Sequence, residues 1–335
     1  YLNGRLDLIE AEAVIDLIQA SSKASLENAY GQAGGRLSEM VRALKKQVVR
    51  ALSLLEIGLD FSEEDIDDFG RQAIQDSLRE VVDFSSRLAD TFEGTKRRQE
   101  GYLIALVGRS NVGKSTLLNT LLGEDRAIVT PIPGTTRDLV EGRTIWSGES
   151  VRLVDTAGVR QTEDPIEIEG IKRAAKSAQE ADVVFAIFDS STPWCDDDQA
   201  VLDLLPFEKS IFIFNKIDLA PLFDRMKVEK QSSSIVEISA LTERGIDDLK
   251  RKTFRRMPRS KDVDGVGISR QRHQDCLFRV VKSTTAAIGL LVSGQPDECV
   301  VFELREALSS LGEMIGENTD EDVLDSIFSE FCIGK

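Results

Sequence analysis

The chain has 335 residues, 41% of them apolar, and carries 42 Lys and Arg against 58 Asp and Glu, a formal net charge of −16. That length predicts about two domains, and the acidic balance argues against a general nucleic-acid binder, whose affinity comes from neutralising phosphates. No apolar run approaches the ~20 residues of a membrane span, and the single His273 argues against His-based acid–base catalysis or a His-rich metal site. Cys195, Cys276, Cys299 and Cys332 show no C-x-x-C spacing, so neither a zinc site nor a disulfide framework is indicated, and the expected compartment is a reducing cytoplasm.

The chain opens on Tyr1 in YLNGRLDLIEAEAVIDLI, already in helical period, with no initiator Met and no signal peptide; residues are expected to precede it. Residues 1–98 read as helices with apolar positions three and four apart, most clearly in VRALKKQVVRALSLLEIGLDF. DFSEEDIDD interrupts that run and offers Ser62 as an N-cap. At Tyr102 the texture changes. YLIALVG, VRLVDTAG, DVVFAIFDSS, SIFIFNKIDL and SIVEISAL are short apolar runs separated by helix-like stretches, the pattern of buried parallel strands under crossover helices. They define an α/β domain over 99–258. After the polar linker RMPRSKDVDGVG, helical periodicity returns over 259–335. The predicted architecture is a mostly parallel α/β domain inserted into a helical domain split into 1–98 and 259–335, whose halves share one core. Three independent domains would leave roughly seventy C-terminal residues to stabilise themselves, which is hard for so small a unit. Two basic runs, TKRRQ (95–99) and KRKTFRRMPR (250–259), read either as solvated faces or as local RNA contacts.

GRSNVGKST (108–116) matches G-x-x-x-x-G-K-[ST], placed after a strand and at the start of a helix. Gly108 and Gly113 let the backbone curl so that N–H groups point at phosphate oxygens, and the helix N-terminus adds its positive dipole end. Lys114 is expected on the β- and γ-phosphates and the Ser115 hydroxyl on Mg²⁺, with Asn111, Val112 and Thr116 completing the loop's nucleotide contacts. In DTAG, Asp155 ends a strand near the Mg²⁺ and Gly158 offers its N–H to a γ-phosphate, with Thr156 and Ala157 between them. In NKID, the Asp218 carboxylate can accept from the two N–H groups on guanine's edge while Asn215 and Lys216 brace the base, with Ile217 between Lys216 and Asp218 in the GTP-binding motif. SAL (Ser239, Ala240, Leu241) can present a backbone N–H to the guanine carbonyl. GTTRD (134–138) lies where a Mg²⁺-binding switch threonine belongs. GTTRD falls between the phosphate loop and DTAG, and the five motifs in their order along the chain predict a Ras-like P-loop GTPase domain binding GTP. A Gln directly after DTAG orients the attacking water in Ras-like enzymes; here that position is Val159, which cannot, so another group must do so.

The loop with Asn111, the TPIPGTTRD switch (Thr130, Pro131, Ile132, Pro133, Gly134, Thr135 and Thr136 onward), DTAGVR…IEIEGI and the terminal FCIGK resemble the tRNA-modification GTPase MnmE (TrmE) family. The resemblance covers essentially the whole chain, including LNGRLDLIEAEAVIDLI and RQRH (270–273), with the family's N-terminal folate-binding domain absent from the sequence. It implies activation by K⁺ held by Asn111, Thr130, Ile132 and Thr135, with Mg²⁺ on Ser115 and Thr136 and Asp155 in its outer shell. Pro131 and Pro133 remove N–H groups but keep their carbonyls, so the oxygen cage survives. Glu167 matches the family's water-orienting acid, although Glu163, Asp164 and Glu169 lie close enough to exchange register with it. Arg137, beside the switch threonine, is expected to order that loop and completes, with Glu167 and Cys332, the candidate catalytic set.

The tail FSEFCIGK puts Cys332 fourth from the end, but Gly334 and Lys335 do not fit a prenylation box. The resemblance places this tail near the folate, 5-formyl-tetrahydrofolate, with Arg5 and Lys335 on its anionic groups and Cys332 either near the reacting base or packed as a thiol. It further implies a homodimer, the flavin-containing partner MnmG and carboxymethylaminomethyl-type modification of the tRNA wobble uridine, with no membrane. Two other readings stay open at this point: a ribosome-assembly GTPase of the Era or Der type, and a GTP-gated scaffold without catalysis. The first should carry a KH-like region with a G-x-x-G loop, which the sequence after Pro258 lacks.

Overall fold

Short polar side chains set the entry into the N-terminal helices of the computed structural model, which describes residues 6–60, 68–123, 140–156, 174–224, 226–229, 234–258, 262–263 and 265–317. The Asp7 carboxylate accepts from the Glu10 N–H and Glu10 accepts from the Asp7 N–H, each at 2.9 Å, a reciprocal cap that starts α1 (Leu8–Gln19). Ser22 and Ser25 repeat the device at α2 (Lys23–Ala33). Along α3 (Arg36–Asp60), Leu37, Val41, Leu44, Val48, Ala51 and Leu55 recur every three or four residues and form one buried stripe. α4 (Asp68–Ala89) and α5 (Phe92–Glu100) follow. Ser62, the expected cap, lies outside the described residues.

Next comes a six-stranded sheet in the order β2-β3-β1-β4-β5-β6, with β1 (Tyr102–Val107), β2 (Val140–Trp146), β3 (Glu149–Asp155), β4 (Val183–Asp189), β5 (Ser210–Asn215) and β6 (Ile235–Glu237). All neighbouring pairs are parallel except β2 with β3. Alternate residues feed two separate cores. Ile104, Leu106, Val183, Phe185 and Ile187 pack with Leu117, Leu121, Ile246 and Leu249 of α6 (Lys114–Leu122) and α10 (Ile246–Arg256). Ala105, Val107, Val184, Ala186 and Phe188 pack with Ala174, Ala178, Val201 and Leu202 of α7 (described over 174–180) and α8 (Asp196–Asp203) on the other face. The small α9 (Met226–Glu229) adds Val228 to that second core. Burial on both faces is why these strands are written as unbroken apolar runs. β2 escapes that criterion because it is an edge strand: Gly142, Thr144 and Trp146 are buried while Arg143 and Ile145 are exposed.

α11 (Gln271–Val292) and α12 (Asp297–Ile315) complete the helical part, Leu277, Val280, Leu304 and Leu311 joining the α3 and α4 stripes in one core. The chain thus forms two units, Tyr1–Gln99 with Ser260–Lys335 and Glu100–Arg259. Residues from before and after the sheet share a core, so the helical domain is split by the α/β domain.

His273 has its place inside the helical core. It is fully buried, its Nε2 lies 2.8 Å from Glu12 Oε2, and Arg272 donates to both Glu12 oxygens at 3.3 and 2.9 Å. Burial raises the Glu12 carboxyl, but attraction and hydrogen bonds from His273 and Arg272 outweigh it and bring the group from the usual 4.5 to about 2. A lowered folded-state value stabilises the fold above the unfolded value and loses that contribution as pH falls. Helical-unit stability is therefore expected to drop between about pH 4.5 and pH 2, by roughly 3 kcal/mol from this group. Glu12→Gln should flatten that part of the profile in chemical denaturation while destabilising the protein at pH 7; an unchanged profile would remove Glu12 as its source.

Candidate nucleotide site

β1 runs straight into the loop 108–113, and Lys114 opens α6. Asn111 and Gly113 take left-handed conformations, φ 65° and 101°. Asparagine tolerates that region and glycine has no steric objection to it; such turns aim successive N–H groups into one anion-binding concavity at the helix start. Lys114 is buried, and its ammonium donates to the Gly108 and Arg109 carbonyls at 3.0 and 2.9 Å, which draws the loop into a ring. Burial lowers its proton affinity and the Asp155 carboxylate opposes that.

The Ser115 hydroxyl donates to Asp155 Oδ2 at 2.8 Å across the β1–β3 pair. Burial pushes the Asp155 carboxyl up, against the Ser115 hydrogen bond and the Lys114 charge. Its other oxygen, Oδ1, is buried with no donor among the described residues. A buried unpaired acceptor costs about 1–3 kcal/mol, and a water on a Mg²⁺ ion is the donor that would satisfy it. A hydroxyl and a carboxylate side by side at a phosphate loop are hard oxygen ligands of the kind Mg²⁺ takes, so these residues fit the ion.

The base side is tied to the phosphate side by one amide. Asn215 Nδ2 donates to the Val112 carbonyl at 2.8 Å, and Asn215 Oδ1 accepts from the Ala240 N–H at 3.0 Å. A Cβ at Gly113 would run into this amide. The Thr120 hydroxyl of α6 adds a bond to the Ala240 carbonyl at 2.9 Å. Lys216, at φ 64°, donates from Nζ to the Asn111 carbonyl at 2.9 Å and to Asp189 Oδ2 at 2.6 Å. Burial raises the Asp189 carboxyl, but Lys216 and two Ser191 donors outweigh it and the net shift is downward. Asp218 is exposed, and its carboxylate has no partner among the described residues, which leaves it available to a base. All of this sits at the carboxyl ends of β1, β3, β4 and β5, beside β1 where the strand order reverses, the ligand position of open α/β sheets.

Among the expected site residues, Asn111–Thr116, Asp155, Thr156, Asn215–Asp218 and Ser239–Leu241 therefore converge on one edge of the sheet. Thr156 is buried and its hydroxyl donates to the Leu106 carbonyl at 2.7 Å, so it fixes the strand end. Arg5, Thr130, Pro131, Ile132, Pro133, Gly134, Thr135, Thr136, Arg137, Ala157, Gly158, Glu167, Cys332 and Lys335 lie outside the described residues. The sequence reading misses Asp189, whose signal was the acid closing the apolar run VVFAIFD. It also misses Arg109, which anchors the loop to Thr192 and, at 3.1 Å, to the fully buried Asp198.

The MnmE helical domain family matches residues 8–332. The tRNA modification GTPase MnmE of Geotalea uraniireducens (strain Rf4) is 42% identical over 339 residues, covering 100% of this chain and 74% of that protein. The chain belongs to the MnmE family. The MnmE protein of Clostridioides difficile (strain 630) is 38% identical over 339 residues, again covering 100% of this chain and 74% of its own length. Among solved structures, a variant of Aquifex aeolicus Era bound to GDP·AlF4⁻ is 30% identical, covering 54% of this chain and 66% of that one, with a TM-score of 0.40. Membership in the MnmE family makes this chain a GTPase. No helix among the described residues is long and apolar enough to cross a membrane.

Because Asp189 is the charged partner that holds Lys216 over the loop, Asp189→Asn should weaken GDP binding about tenfold, in line with a lost charged hydrogen bond of about 1.5–3 kcal/mol. A fluorescent-GDP titration reads this directly, and wild-type affinity in the variant would show that Lys216 holds its place without the carboxylate.

Proposed function

We propose that this chain is a K⁺-activated GTPase that modifies the wobble uridine of tRNA together with MnmG, with a one-carbon unit from 5-formyl-tetrahydrofolate. The observation that carries the GTPase part is the Asn215 bridge, which joins a phosphate loop and a guanine pocket into one site. The tRNA part is supported by the names of the MnmE relatives. The proposed division is a GTPase domain over 99–258 between helical halves 1–98 and 259–335. The expected setting is the cytoplasm.

In this reading Lys114 swings from its own loop carbonyls to the β- and γ-phosphates, exchanging two neutral acceptors for charged ones. Ser115 and Thr136 hold Mg²⁺ with Asp155 behind them, and Asn111, Thr130, Ile132 and Thr135 hold K⁺. Asn111 is exposed at the loop crest, open to such a ligand. Bound there, the two cations would supply the positive charge that offsets charge developing on the phosphates. Val159 leaves the attacking water without a side-chain partner after DTAG, and Glu167 is the proposed substitute, with Arg137 ordering the switch loop. Two GTPase domains would pair across their nucleotides in a homodimer. Arg5 and Lys335 would face the folate and Cys332 the reacting base.

GTP turnover in KCl against NaCl at matched ionic strength, with Asn111→Ala alongside, tests the cation part. The expected result is at least tenfold stimulation by K⁺ that vanishes in the variant. Equal rates in both salts would sink K⁺ activation and favour a GTP-gated scaffold.

A further inference from the structure

At the opposite end of β3 from Asp155, β2 and β3 are joined by a two-residue turn, Ser147-Gly148, with φ 50° and 88°. Beside it, Ile145, Trp146 and Ser147 face α10 across a cavity of about 570 Å³, lined from the helix by Asp247, Lys250, Arg251, Phe254 and Arg255. These helix positions are spaced three and four apart, so they form one stripe, while Ile246, Leu249 and Thr253 are buried on another. The cavity and its walls belong entirely to the α/β unit.

Three of the eight lining residues are cationic and one is acidic, in a chain whose net charge is −16. The C-terminal end of a helix favours cations, which accounts for Arg255 but not for Lys250 or Arg251, set further back. The Lys250 ammonium stands 5.7 Å from the centre of the Trp146 ring. The Trp146 indole N–H is buried with no acceptor among the described residues. Arg251 pairs with Asp248, whereas Arg255 is exposed and has no partner among the described residues. The cavity therefore offers cations beside the apolar Ile145 and Phe254, a combination that suits a phosphate with a sugar attached.

We propose that this cavity is a docking site for the phosphate backbone of RNA, with Lys250, Arg251 and Arg255 as the phosphate contacts. It rests on the tRNA reading above and extends it, because it puts an RNA contact on the α/β unit, at the end of β3 remote from Asp155. Arginine and lysine contacts of this kind act on affinity and salt dependence rather than on sequence choice.

The test is binding of an unmodified tRNA transcript to the full chain by fluorescence anisotropy across a salt series. The arms are wild type, a Lys250→Ala/Arg251→Ala/Arg255→Ala variant, and a control Lys23→Ala/Arg79→Ala/Lys176→Ala variant in which surface cations elsewhere are removed. The site variant should bind at least tenfold more weakly, with a log K against log[salt] slope shallower by about 2–3. The control should stay within twofold of wild type, and GTP turnover without RNA should be unchanged in all three. Arg255→Glu, a single change at an exposed side chain, should weaken binding several-fold and guards against a folding defect in the triple variant. Wild-type affinity and slope in both site variants would overturn the site and leave the tRNA reading standing. An equal loss in the control would reduce it to general charge. A wild-type chain that hydrolyses GTP but binds no tRNA would overturn both.

Discussion

The Asn215 side-chain amide is the joint on which the nucleotide site depends. One end holds the phosphate loop through Val112 and the other holds the base loop through Ala240. Each bond contributes only about 1 kcal/mol net, but cutting either leaves a buried polar group without a partner. The larger consequence is geometric. A nucleotide spans both loops, so their separation must be set before it arrives, and this amide sets it from the end of β5. The Thr120 bond to the Ala240 carbonyl holds the base loop from α6, the helix that carries Lys114 and Ser115.

Around that joint the electrostatics are arranged in pairs. Lys114 faces Asp155 through Ser115, and Lys216 faces Asp189, with each cation also bonded to carbonyls of the 108–113 loop. The loop is thus held from within by its own lysine, from the base side by Lys216, and from α8 by Arg109 on Asp198. The sheet makes this possible, because apolar cores on both faces leave its strand ends as the place where polar groups converge.

Much of this is written locally and could be read from the sequence. Unbroken apolar runs mark strands buried on two faces, and GRSNVGKST, DTAG, NKID and SAL each carry their chemistry within a few residues. What escaped depends on partners far away in the chain. Asp189 looks like an ordinary strand end until Lys216 is seen against it, and Arg109 like a variable loop position until α8 supplies Asp198. β2 hides because an edge strand alternates instead of running apolar. Being the sole histidine argued against His273 as a catalyst, but its bond to Glu12 joins residues 261 apart and could not be read from the sequence. The two cysteines of α11 and of the turn before α8, Cys276 and Cys195, behave as packing and capping groups, with burial and Glu313 pushing the Cys276 thiol up to about 11.

Gly113 has a consequence beyond its own turn. The space its missing side chain leaves is filled by the Asn215 amide. Any residue larger than glycine there sets its Cβ against the Asn215 amide nitrogen, so the bond to the Val112 carbonyl must shift or break. The two positions are therefore coupled: the glycine is worth most while the asparagine fills its space, although about a hundred residues separate them in the chain.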